Sequence, residues 1–258
     1  MLGVKNRVAL VTGAGSSTGI GFATAKLLYE AGAKVAITST TDRIYERLDE
    51  LTGDKDKSFS KPANLTNVDE VTGLMADIEA NLGPIDIVIN NAGMVQVGND
   101  ETAGAISQMS DESWHYGMDI NLTSSFYVTR AVLKGMIERN YGRIVHMSSV
   151  TGPVVGIPGS SVYGAAKAGM VGMAKSLAIE VGSHNITVNC IGPGWIKTGS
   201  SDEAEIVAGN HTPLGRPGTP DEVGHLAVFL ASHEASYITG QLIVVDGGNT
   251  IQEYKVEC

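Results

Sequence analysis

From end to end, short β-rich runs alternate with longer helical patterns without a break. Strands are predicted at Arg7–Thr12, Lys34–Thr38, Ser58–Ser60, Ile85–Asn90, Arg143–Met147, Thr187–Ile191 and Leu242–Val245. Helices are predicted between them, near Gly21–Ala31, Asp42–Leu51, Asp69–Leu82, Glu112–Arg139, Val162–Val181 and Asp221–Ala231. Several strand runs lack polar alternation, the pattern of a strand covered on both faces. Strict alternation implies an α/β fold, a doubly wound parallel sheet of seven strands flanked by helices and joined by right-handed crossovers. No linker divides the 258 residues, so one domain is expected over 1–258. Ligands bind such sheets outside the C-terminal ends of the strands, and Thr12, Asn90, Ser149 and Pro193 all fall there.

Composition narrows the function classes. A chain with 43% hydrophobic and 18% charged residues is globular. A net charge of −10, without clusters of Lys or Arg, argues against nucleic acid or an anionic membrane as partner. Cys190 and Cys258 have neither a disulfide framework nor metal-ligand spacing and are expected as reduced thiols. The six histidines are scattered, with no pair four residues apart, so no metal site is expected. The N-terminus lacks an apolar signal core, and no run approaches the roughly eighteen apolar residues of a membrane span. A soluble, cytoplasmic protein is expected.

The first strand leads into Thr12-Gly13-Ala14-Gly15-Ser16-Ser17-Thr18-Gly19-Ile20-Gly21 and then a helix. Glycines let the backbone turn tightly beside a pyrophosphate, and the helix N-terminus adds N–H donors and positive potential. That arrangement predicts a dinucleotide. An acidic residue about 20 positions beyond the glycines would hold the ribose 2′-hydroxyl of NAD. Here the second strand ends Thr38-Ser39-Thr40-Thr41-Asp42-Arg43. The hydroxyls of Ser39 and Thr40, with Arg43 as a cation, suit a 2′-phosphate, so NADP is favoured and NAD remains the alternative.

Chemistry is carried by Tyr163 and Lys167, four residues apart and so on one helix face. A unit charge ~4 Å from a phenol, at an effective dielectric of about 20, is worth about 4 kcal/mol, or roughly three pKa units. That shift makes a phenol a usable acid and base near neutrality. Upstream, Gly142–Val150 reads as an apolar strand ending in two hydroxyls. Ser149, as the last on the strand, is favoured to donate to the oxygen that Tyr163 protonates; Ser148 is the alternative.

Assembled, these segments resemble the short-chain dehydrogenase/reductase family over nearly the whole chain. The resemblance rests on Gly13…Gly19-Ile20-Gly21, Asn64-Leu65-Thr66, Asn90-Asn91-Ala92-Gly93, Asn121, Ser149, Tyr163-x-x-x-Lys167, Pro193-Gly194 and Asp246-Gly247-Gly248, in that order. It implies a Rossmann-like fold, with residues up to about 95 forming mainly the cofactor-binding half and the remainder the catalytic half. By resemblance Tyr163 is the acid-base group, Ser149 polarises the carbonyl, and Lys167 lowers the tyrosine pKa and holds the nicotinamide ribose. Asn121 would position a proton-relay water. Asn91, Ala92 and Gly93 would support the cofactor cleft, Asn64 and Leu65 would flank the adenine, and Pro193, Gly194, Ile196 and Thr198 would lie along the nicotinamide. A homotetramer and a mobile substrate loop near 199–216, with a short helix at Asp202–Val207 and Trp195 packed at its base, are implied as well.

Departures from the family pattern matter for specificity. Five residues separate Gly13 from Gly19, where three are usual, so Ser16, Ser17 and Thr18 are candidate cofactor contacts. Asn64 stands where an aspartate is usual, which makes its expected adenine contact an amide one. The Ser149–Tyr163 spacing is one residue longer than usual, and Met94–Ile120, with Gly98-Asn99-Asp100-Glu101, is also long. The implied activity is ketone–alcohol interconversion on a small molecule. Reduction of 3-oxoacyl groups on an acyl carrier protein is an alternative; the family's basic docking positions for that acidic partner are Tyr127 and Ile179 here. A non-catalytic NAD(P) sensor is the remaining class, and it would be expected to lack part of the Asn121, Ser149, Tyr163, Lys167 set.

Overall fold

The computed structural model describes residues 3–51, 54, 56–93 and 104–253. Its centre is a parallel sheet of seven strands: β1 Val8–Thr12, β2 Lys34–Ser39, β3 Ser58–Pro62, β4 Ile85–Asn90, β5 Gly142–Met147, β6 Ile186–Pro193 and β7 Leu242–Val245. The order is β3-β2-β1-β4-β5-β6-β7, so the winding reverses between β1 and β4. All five residues of β1 are buried, because helices cover both faces. Val8 and Leu10 enter one core, and Ala9 and Val11 enter the other. The period-two geometry of a strand makes each central run serve two layers at once.

The helices are α1 Ile20–Glu30, α2 Arg43–Leu51, α3 Val68–Leu82, α4 Asp111–Met118, α5 Ser124–Arg139, α6 Ser161–Val181, α7 Glu203–Asn210 and α8 Pro220–Leu230. The core on one side packs α3, α5 and α6 against the sheet, through residues such as Leu74, Val128 and Ala174. The other packs α1 and α8, through Phe22, Leu28 and Val228.

Two features differ from the sequence expectation in ways that shape the site. The single helix expected over Glu112–Arg139 is interrupted by a π-helical turn at Asp119–Thr123. The wider turn rotates Asn121 relative to the helices on either side, and such turns concentrate at functional sites. The short helix expected at Asp202–Val207 runs Glu203–Asn210, capped by Asp202. Of the long 94–120 segment, residues 94–103, including Gly98-Asn99-Asp100-Glu101, lie outside the described residues, as does Cys258. No described helix is long and apolar enough to cross a membrane.

Candidate active site

At the switch between β1 and β4 the two turns lock together. The Thr12 hydroxyl accepts from the amides of Asn91 and Ala92, both at 3.0 Å, and the Asn91 side chain donates to the carbonyls of Thr12 and Gly13, both at 3.1 Å. Gly13 sits at φ +68°, and a Cβ there would lie 2.7 Å from the Ala92 Cα, so glycine is required. Asn91 therefore acts as a brace for the glycine turn. The α1 N-terminus beyond has no side-chain cap and no acidic residue in its first turn. By contrast, α3, α7 and α8 are all side-chain capped. The first amides and positive end of α1 are thus left to an anion.

A cavity of about 180 Å³ opens beside this turn, lined by Gly13, Gly15, Ser16, Ser39, Thr40 and Arg43 on one side. Ala63, Leu65, Thr66, Ala92 and Gly93 complete its wall, together with Ile120 and Ser124. Gly15 is needed for close approach, since a Cβ there would be 2.9 Å from the Ser39 Cβ. Asn64, expected at the adenine, does not line the cavity. Its Oδ1 instead accepts from the amide and hydroxyl of Thr66, at 3.1 and 2.8 Å, and so closes a local turn.

The extra residues of the glycine turn also depart from expectation. Ser16 reaches the cavity, but Ser17 and Thr18 line a separate space of about 500 Å³ with Lys26, Lys197 and Gly199. The Thr18 hydroxyl accepts from the Gly199 amide at 2.9 Å, which ties the glycine turn to the segment after β6. Gly19 is the N-cap of α1 and lines none of these spaces.

Gly93 joins the first cavity to a larger one of about 410 Å³ over the ends of β5 and β6. This second cavity is lined by Asn121, Ser149, Tyr163 and Lys167. Ile20, Asn91, Pro193, Gly194, Ile196 and Thr198 line it too, as expected from sequence. Trp195 also lines it, while its carbonyl accepts from the Gly218 amide at 2.8 Å. A Cβ on Gly93 would stand 2.8 Å from Asn121 Oδ1 and 3.2 Å from Lys167 Nζ, so the backbone passes directly over both groups. Asn121 Nδ2 donates back to the Gly117 carbonyl at 3.0 Å across the π turn.

The two candidate serines part company. β5 ends at Met147, so both follow the strand. The Ser148 hydroxyl donates to the Lys167 carbonyl at 2.9 Å and is consumed there. Ser149 faces Tyr163, accepting from the Thr151 amide at 3.0 Å. The longer Ser149–Tyr163 connection is taken up by a compact turn in which Gly152, at φ +103°, packs on Gly164 so closely that any side chain would collide with its carbonyl. That contact seats the first turn of α6.

Electrostatics revise one expectation. Lys167 Nζ donates to the Met147 carbonyl at 2.9 Å and lies 5.5 Å from the centre of the Tyr163 ring. Burial lowers the lysine to about 8. The Tyr163 phenol is raised above its ordinary value: burial is the largest cause, Ser149 pulls it back down, and the Glu205 carboxylate pushes it up. The ammonium, expected from the sequence against the phenol oxygen, lies against the face of the ring. Glu205 is a cavity-lining residue that the sequence reading missed. The spacing Asp202-x-x-Glu205, a helix-capping pattern, was its available signal.

A family model described as enoyl-(acyl carrier protein) reductase matches residues 13–250. The chain belongs to the short-chain dehydrogenase/reductase family. It is 43% identical to nodulation protein G of Rhizobium sp. (strain N33), covering 96% of this chain and 98% of that protein. It is 39% identical to the 3-oxoacyl-[acyl-carrier-protein] reductase of Vibrio cholerae, over 96% of this chain and 98% of the other. A crystal structure from Agrobacterium tumefaciens, provisionally called a gluconate dehydrogenase, superposes with a TM-score of 0.86 at 30% identity, covering 96% and 97% of the two chains. As a member of this family the chain is an NAD(P)-dependent oxidoreductase acting on CH–OH donors.

Proposed function

We propose that the chain is an NADP-preferring oxidoreductase that interconverts a small-molecule ketone and its secondary alcohol in the cytoplasm, with Tyr163 as general acid and base. The observation that carries this reading is the convergence of Tyr163, Ser149, Lys167 and Asn121 on one cavity that continues, past Gly93, into the cavity of the glycine turn.

Residues up to about 95 supply most of the cofactor's bed, and the rest supply the chemistry. The α1 N-terminus would hold the pyrophosphate, and Ser39, Thr40 and Arg43 the 2′-phosphate; among the described residues no carboxylate lines that cavity to hold a 2′-hydroxyl instead. Lys167, which lines the catalytic cavity, would hold the nicotinamide ribose. When bound, the cofactor supplies or accepts the hydride. Tyr163 protonates the carbonyl oxygen as it becomes an alkoxide, or takes the proton from the alcohol in reverse. Ser149, fixed by the Thr151 amide, donates to the same oxygen, so two preorganised donors meet the developing charge. Asn121 and Lys167, both against Gly93, pass the proton onward. Exposed apolar residues on α5 and α6, Phe126 and Ile179, support assembly as a homotetramer, which light scattering checks directly.

Reduction of acyl-carrier-bound 3-oxoacyl groups is the second reading, drawn from the name of the Vibrio cholerae relative. It is disfavoured by Tyr127 and the exposed Ile179 at the docking positions and by the net charge of −10, since an acidic partner needs a basic surface. Rates of NADPH and NADH oxidation with pentan-2-one, cyclohexanone, ketose sugars and a 3-oxoacyl thioester separate the readings. Ketone turnover with NADPH preferred is expected. A preference for NADH overturns the role given to Ser39 and Arg43, and turnover of the thioester alone favours the second reading.

A further inference from the structure

We propose that Glu205 sets substrate specificity, selecting ketones that carry a hydroxyl on the side facing α7 and rejecting those with a carboxylate there. This rests on the ketone–alcohol reading and names its substrate class.

Among the described residues lining the catalytic cavity, Lys167 is the one cation and donates to the Met147 carbonyl, and Glu205 is the one carboxylate. The position of Glu205 is held from two sides. The Glu205 amide donates to Asp202 Oδ1 at 2.8 Å, and Glu205 Oε2 accepts from the Asp202 amide at 3.3 Å. That reciprocal cap uses one oxygen, and Oε1 accepts from no described residue. Neighbouring hydroxyls are committed: Thr198 pairs with Ser200 at 3.0 Å, and Ser201 donates to the Ile196 carbonyl at 3.1 Å. At this edge of the cavity the open acceptor is therefore an anion, suited to a substrate hydroxyl.

The carboxylate's field also reaches the reacting centre, because it helps to raise the Tyr163 phenol. A substrate carboxylate lying between them meets that same field. Two like charges ~7–10 Å apart, at an effective dielectric of about 20, repel enough to weaken binding roughly tenfold to fiftyfold, and partial exposure of Glu205 favours the lower figure.

The test uses 5-hydroxypentan-2-one and 4-oxopentanoate, five-carbon ketones that differ in a terminal hydroxyl or carboxylate. Their binding to the enzyme with oxidised NADP is measured by calorimetry, and their reduction with NADPH by absorbance. The hydroxyketone should bind about tenfold or more tightly, and Glu205→Gln should largely erase the difference. Glutamine also serves the helix cap, so the fold is kept. Glu203→Gln, the same charge change on the exposed face of α7, should leave the ratio as it was. Equal binding of the two ketones, no binding of either, or equal effects of the two variants would overturn the inference. Discrimination in binding without any turnover would keep the inference and overturn the reductase reading instead.

Discussion

At the scale of single residues, burial governs protonation of His146, Tyr163 and Lys167 more than their partners do. His146 lies on β5, fully buried, with its Nδ1 3.3 Å from the Asn90 amide nitrogen. Burial, and then the Lys167 charge, lowers it to about 4 from an ordinary 6.5. The unfolded chain takes up this proton as pH falls below about 6.5, while the folded chain refuses it until about 4. This group's contribution is therefore fully present above 6.5 and is lost on acidification towards 4. Between pH 7 and pH 5 the loss is about 2 kcal/mol. Urea unfolding of the protein and of His146→Gln at both pH values checks it: the variant should lose about that much less on acidification, and equal losses would contradict the assignment. The choice between Ser148 and Ser149 belongs to this scale too. Sequence placed both hydroxyls at a strand end, and only the contact of Ser148 with the Lys167 carbonyl, nineteen residues away, separates them. The same non-local packing put Lys167 under the Tyr163 ring, which no helical spacing could reveal.

At the scale of elements, the strands were legible because buried β-branched runs announce themselves, and five of the seven strands end within one residue of where the sequence placed them. The π turn at Asp119–Thr123 was not legible, since one wide turn barely disturbs a helical pattern and its cause is how α4 and α5 pack. The long glycine turn was noticed, but part of its role is structural: the Thr18 hydroxyl accepts from the segment after β6, and Thr18 lines a different cavity from Ser16. Thr18→Val keeps the shape and removes the acceptor for the Gly199 amide. Loss of one such hydrogen bond is worth about 1 kcal/mol, so amide exchange at Gly199 should quicken about fivefold, as read by hydrogen–deuterium exchange. Unchanged exchange would mean that the tether holds nothing in place.

At the scale of the whole molecule, function follows from where the winding reverses. The β1–β4 switch opens a crevice, the glycine turn leaves an uncapped helix end at one side, and β5, α6 and the π turn bring their polar side chains to the other. In the proposed mechanism, proton transfer by Tyr163 accompanies hydride transfer in that crevice. This coupling is tested most directly in Tyr163→Phe, by measuring NADPH binding by fluorescence and NADPH oxidation in a single turnover with a ketone the parent protein reduces. Nearly unchanged NADPH affinity and a rate lower by about a thousandfold are expected. A rate close to that of the parent protein, with NADPH still bound, would contradict the mechanism.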